Sequence, residues 1–143
     1  MFKHIAVVFI TPTVKTKSFF VGLGMAKKFE GDLIVIDCIY KHPPKFHFFE
    51  TKSDKESAKK IRQQAKESMA KLEKQANEAD IPIKTQIVLS DNLADWVIDF
   101  VARNKIDLLI MDHPHLSSFE ETFYEDIIHA ILHEVRLPVL TLR

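Results

Sequence analysis

The sequence predicts one α/β domain over residues 1–143: a doubly wound, five-stranded, mainly parallel sheet with four helices on two faces. Three observations predict it. A chain of 143 residues fits a single domain, which typically runs to roughly 100–200 residues. Its 46% hydrophobic and 28% charged content is that of an ordinary globular core with a solvated surface. The apolar pattern switches back and forth between strand and helix without a linker or repeat. Such alternation implies right-handed crossovers and a sheet sandwiched by helices.

The elements follow in order. Ile5–Ile10 is a continuous apolar run, the mark of a strand covered on both faces. Pro12 ends it, because proline cannot donate to a ladder and biases Thr11 away from helix. A helix over about Ser18 to Glu30 places Phe19, Leu23 and Ala26 on one stripe with Phe20 beside them, and Gly31 fills its C-terminal glycine position. Leu33–Ile39 is a second buried strand. Tyr40 to Lys52, with Pro43 and Pro44, is a loop. Ser53 and Glu56 have capping-box spacing ahead of a long amphipathic helix carrying Ala58, Ile61, Ala65, Met69, Leu72, Ala76 and Ala79. Pro82 opens a third strand, Ile83 to Leu89. Asp91 or Asn92 caps a third helix bearing Leu93, Trp96, Val97, Phe100 and Val101. Asp107–Met111 is the fourth strand. A helix over about Phe119 to Glu134 precedes the last strand, from Pro138 to Leu142.

Composition excludes several classes of function. Twenty Lys and Arg balance twenty Asp and Glu, which removes the general attraction to nucleic acid or anionic lipid that a basic domain shows. The one cysteine, Cys38, rules out an intrachain disulfide and a multi-cysteine metal knot. No apolar run approaches the roughly 20 residues of a membrane span, and the start of the chain lacks the pattern of a signal peptide. The expectation is a cytoplasmic protein with no membrane or nucleic-acid partner.

Chemistry is expected outside the carboxyl ends of the strands, where the strand order reverses. The loops there are Thr11–Lys17, Tyr40–Lys52, Ser90–Asn92 and Asp112–Ser118. None contains a glycine, whereas phosphate binders place glycines there to bring bare backbone N–H groups to the oxygens. Gly22 and Gly24 sit inside a helix without a third glycine, so close helix–sheet packing explains them better than a dinucleotide motif.

The opening Phe2–Val8, the segment Ile106–Met111 and the terminal Leu137–Leu142 together resemble the universal stress protein family over the whole chain. The resemblance implies the sheet order 3-2-1-4-5, with the first and fourth strands side by side and the fifth at an edge. Many members bind ATP through G-x₂-G-x₉-G-[S/T] after the fourth strand. Laid without gaps between Met111 and Pro138, that pattern falls on Asp112, His115, Glu125 and Asp126. The aspartate that the family places at the end of its first strand falls on Ile10. Every expected residue is replaced, three of the four by carboxylates. Repulsion between unit charges ~4 Å apart is about 1 kcal/mol in water and about 4 at an effective dielectric of 20. The expectation is the branch lacking the ATP motif, with no cofactor.

Other residues suggest sites, each with a plainer explanation. Asp126, His129 and His133 share one helical face with the spacing of a metal site. However, Ile127, Ile128, Ile131, Leu132 and Val135 define the opposite, buried face, which turns the histidines to solvent. His113 and His115 flank Pro114 beside Asp112 and Met111, where imidazole could serve as acid or base, with Ser117, Ser118 and Thr11 as possible hydroxyls. Asp37 stands in an apolar strand near its carboxyl end, expected to be hydrogen-bonded near the same crevice, which makes it a weak ligand candidate. Cys38 reads as a small buried residue. The aromatic loop Phe46–Phe49 suits a hydrophobic flap or a partner contact better than base stacking. The lysines of the second helix, interleaved with glutamates, read as a solvated face.

An edge strand Val139, Leu140, Thr141 and Leu142 would expose unpaired backbone groups, which proteins normally cover. Antiparallel pairing with a second copy would cover them in a two-fold homodimer, the dimer that the resemblance also implies. The favoured function is a non-enzymatic, dimeric stress-response protein acting through partner or small-ligand contacts. The alternatives are a small-ligand or metal-dependent enzyme using Asp112, His113, His115 and Asp126, and a nucleotide sensor with a non-standard pocket.

Overall fold

The computed structural model describes residues 2–10, 16–40, 52–112 and 118–142. Nine elements alternate along the chain: β1 (His4–Phe9), α1 (Thr16–Phe29), β2 (Asp32–Tyr40), α2 (Lys52–Glu78), β3 (Ile83–Ser90), α3 (Leu93–Arg103), β4 (Leu108–Asp112), α4 (Ser118–Glu134) and β5 (Val139–Leu142). The five strands form one sheet in the order β3-β2-β1-β4-β5, and every pairing is parallel. The expected architecture and strand order are both observed.

Each buried strand feeds two cores because its side chains alternate between the faces. On one face Ala6, Val8, Ile36, Cys38, Leu109 and Met111 pack against Leu93, Val97 and Phe100 of α3 and Ile128 and Ile131 of α4. On the other, Ile5, Val7, Phe9, Leu33, Val35 and Ile110 meet Phe19 and Ala26 of α1 and Met69, Leu72 and Ala76 of α2. The helical stripes expected from the sequence supply these contacts. Trp96 lies half-buried and stacked on Phe100, with ring centroids 5.1 Å apart.

Local chemistry explains the ends of the elements and corrects several expectations. Asn92 caps α3: its side chain accepts from the Asp95 backbone N–H at 3.4 Å. α2 starts at Lys52, so Ser53 stands inside its first turn and not ahead of it, a shift within the usual fraying of helix ends. Asp107 lies just before β4. Its carboxylate accepts the backbone N–H groups of Lys3 and His4 at 2.9 and 3.1 Å, satisfying donors at the start of β1. On α4 the apolar face is narrower than expected, since Leu132 is 38% exposed. On α1 Phe20 is 51% exposed while Phe19 is fully buried.

The glycines divide the same way. A Cβ on Gly22 would lie 2.6 Å from Val7 Cγ2, so close packing of α1 on the sheet requires glycine there. Gly24 has nothing within 4 Å of that position, and packing does not explain it. Gly31 is not the left-handed residue that ends α1. Glu30 is, at φ 54°, and the Gly31 N–H reaches the Ala26 carbonyl at 2.9 Å in the six-to-one bond of a Schellman turn. Gly31 is needed for a different reason: a Cβ there would meet the Phe2 and Lys3 carbonyl oxygens at 2.6 and 2.8 Å. α2 and α3 end alike, with Asp80 and Lys105 left-handed and six-to-one bonds from Ile81 to Ala76 and from Ile106 to Val101.

Candidate functional site

Parallel strands bring their carboxyl ends to one edge of the sheet, and the register sets what meets there. Asp37 of β2 pairs with Phe9 of β1 and Ile87 of β3. Val8 pairs with Met111, so Phe9 and Asp112 are the next neighbours along β1 and β4. Asp112 in turn pairs with Leu142. One row therefore reads Ile87, Asp37, Phe9, Asp112, Leu142, on the α1/α2 side of the sheet to which Ile87, Phe9 and Leu142 belong. Two carboxylates flank one phenylalanine.

Their surroundings differ. Ser18, wholly buried in the first turn of α1, donates its hydroxyl to Asp112 Oδ2 at 2.7 Å, and Asp112 is half-buried. Asp37 is 0% exposed and neither carboxylate oxygen has a hydrogen-bond partner among the described residues. The expectation that Asp37 is hydrogen-bonded is thus corrected. Its cross-strand neighbours Phe9 and Ile87 are apolar and offer no donor. Loss of hydration disfavours the charged form, and burial pushes the Asp37 carboxyl from 3.8 up to about 7. The adjacent Cys38 thiol is also pushed up, by burial first and by the Asp37 charge second. A thiol held in its protonated form is a poor nucleophile, so Cys38 behaves as the expected small core residue.

The remaining candidates separate in space. Ile10 and Met111 are buried on the α3/α4 side, opposite Asp37 and Asp112. Glu125 and Asp126 lie within α4, seven and eight residues beyond its first residue, Ser118. Asp126, His129 and His133 are exposed on that helix as the helical wheel requires, and among the described residues no three His, Cys, Asp or Glu side chains converge on a metal position. Thr11, His113, His115, Ser117 and the aromatic loop Phe46–Phe49 lie outside the described residues. Sequence reasoning missed Ser18 and Phe9. A hydroxyl in the first turn after β1, next to the strand that ends in Asp112, is the signal that finds Ser18.

The described residues also form a groove at the other edge of the sheet. It measures about 490 Å³ and is lined by Lys3, His4, Lys27, Gly31, Asp32 and Pro82 at the amino ends of the strands. His4 Nδ1 and Asp32 Oδ2 are 3.0 Å apart there, both half exposed, and such pairs contribute little. Open parallel sheets bind ligands at the opposite edge. The row at the carboxyl ends is therefore the better candidate.

The chain matches the protein-family model described as the universal stress protein family over residues 1–143. No curated protein matches it. Among solved structures it is similar to the universal stress protein UspA from Lactobacillus plantarum, with 13% identity and a TM-score of 0.77, covering 100% of this chain and 99% of that one. A universal stress family protein from Burkholderia pseudomallei gives 12% identity and a TM-score of 0.70, with 96% and 94% of the two chains covered. The universal stress protein from Archaeoglobus fulgidus in complex with dAMP gives 10% identity and a TM-score of 0.64, with 100% of both chains covered.

Proposed function

The chain belongs to the universal stress protein family, and from that membership we propose a non-enzymatic, dimeric, cytoplasmic stress-response protein that acts through partner contacts or a small ligand in the crevice, without tight ATP binding. One observation carries the last clause. The ATP pattern that many members place after the fourth strand falls here on Asp112, His115, Glu125 and Asp126. Glu125 and Asp126 stand deep inside α4, where backbone N–H groups are spent on the helical ladder and cannot turn to a phosphate. Asp112 presents a carboxylate held by Ser18 at the place where the pattern begins with glycine. Ile10, in the place of the family's aspartate, is buried among apolar side chains.

Homodimerisation is proposed through β5, an edge strand by sheet order whose Val139, Leu140 and Leu142 are half-buried and whose Thr141 is exposed. A partner strand would satisfy the open edge. No described helix is long and apolar enough to cross a membrane.

Calorimetry with Mg-ATP tests the reading. The expected dissociation constant is weaker than ~10 μM, about −7 kcal/mol on the affinity scale; a tighter value overturns it. A nucleotide sensor with a non-standard pocket is the second reading, favoured by the dAMP bound to the Archaeoglobus fulgidus protein. A thermal-shift series of AMP, dAMP and cAMP separates the two, since only the sensor is stabilised. The enzyme reading has less support, because Asp112 is engaged by Ser18 and Asp126 faces solvent.

A further inference from the structure

Asp37 is the one described residue with buried side-chain polar atoms that lack a hydrogen-bond partner. Buried polar groups in native proteins are almost always satisfied, and an exception points to a partner that is not in view. The row around Asp37 narrows the choice. Asp112 already receives a hydrogen bond from Ser18, while Phe9 and Ile87 are hydrocarbon. No described neighbour offers Asp37 a donor, so a ligand that reaches it has to bring its own, three residues before β2 ends at Tyr40 at the ligand-binding edge of the sheet.

We propose that Asp37 anchors a small cationic ligand, seating its ammonium or amidinium head at the carboxyl end of β2 with the Phe9 ring beside it. The inference deepens the small-ligand part of the proposed function and rests on it. An ionised carboxylate accepts only, so it needs a donor, and a positive charge offsets the desolvation that otherwise keeps the proton on the acid. An aromatic ring favours the same charge. A metal ion suits the site less, because it requires several ligands and no group of three converges among the described residues. An anion is repelled. The apolar neighbours suit the methylene stem of an alkylamine.

Ligand binding would expel the Asp37 proton below about pH 7, so affinity should rise with pH through that point. Calorimetry and thermal shift with putrescine, spermidine and agmatine at pH 6 and pH 8 test this, with Mg-ATP run alongside. At least one amine should bind, about tenfold tighter at pH 8 than at pH 6. The Asp37→Asn variant, checked for its fold by near-ultraviolet circular dichroism, should lose that binding. If that variant does not fold, Phe9→Leu should weaken the amine several-fold while keeping the pH dependence. No binding by any of the three amines at ~10 mM, far above the 1 mM that corresponds to −4.1 kcal/mol, overturns the inference. So does amine binding that survives Asp37→Asn or is unchanged by Phe9→Leu. Tight ATP binding overturns the proposed function instead, so the two failures are distinguishable.

Discussion

At the scale of single residues, Asp37 makes the clearest statement about stability. Its folded-state carboxyl titrates near 7 against 3.8 in the unfolded chain. Below about pH 4 both states hold the proton, and the group does not bias folding. Between pH 4 and 7 the unfolded chain ionises while the folded one does not, so stability is lost as pH rises through that window. The full loss is about 4 kcal/mol, as an upper figure, at 1.36 kcal/mol for each pH unit between the two titrations. Asp37→Asn should match the parent near pH 4, pull ahead of it progressively up to pH 7, and stay ahead by a few kcal/mol above that. Urea unfolding of both proteins across the range measures the difference, and parallel profiles would refute the assignment. The presence of a carboxylate in this apolar strand was legible from the letters alone. That it lacks a partner among the described residues was not, because satisfaction depends on what the neighbouring strands and helices bring to it.

Elements report how tightly α1 sits on the sheet. Gly22→Ala forces a methyl group to within 2.6 Å of Val7 Cγ2 and should destabilise the fold by about 1–3 kcal/mol through overpacking. Gly24→Ala, two residues on in open space, should instead stabilise it by up to about 1 kcal/mol, the helix-propensity gain of alanine. Opposite signs in thermal melts are the expected result. A second element-scale outcome concerns the turn after α3, where Lys105 is left-handed at φ 52°. Lys105→Gly should raise the melting temperature by a few degrees, since about 1 kcal/mol is worth roughly 2–4 °C in a somewhat larger domain and more in a smaller one. Strand and helix identities were readable because apolar spacing encodes them directly. The stops were less so. Gly31 looks like a helix terminator by type, yet it answers the approach of the Phe2 and Lys3 backbone, a contact between segments distant in sequence. The start of α4 was placed within one residue, which already set Glu125 and Asp126 well inside it.

At the scale of the whole molecule, β5 closes one side of the sheet with four residues while β3 closes the other with eight that include the exposed Lys84 and Gln86. Charge on an edge discourages pairing, and its absence invites it. Light scattering at tens of micromolar should give a dimeric mass. Thr141→Lys, on the exposed position of β5, should loosen that dimer about tenfold by setting like charges near each other across the two-fold; a monomeric parent would exclude the arrangement. The molecule also has two unequal poles. At the amino ends of the strands the chain turns from helix to strand in two to four residues each time, and three of those returns are locked by six-to-one bonds. At the other pole the crossings before α1, α2 and α4 use six, eleven and five residues. One extra residue in a locked return would invert the next strand, sending its inner side chains outward. Spare length at the opposite pole shifts no strand, so insertions there leave the sheet standing while they reshape the edge where a ligand is proposed to sit.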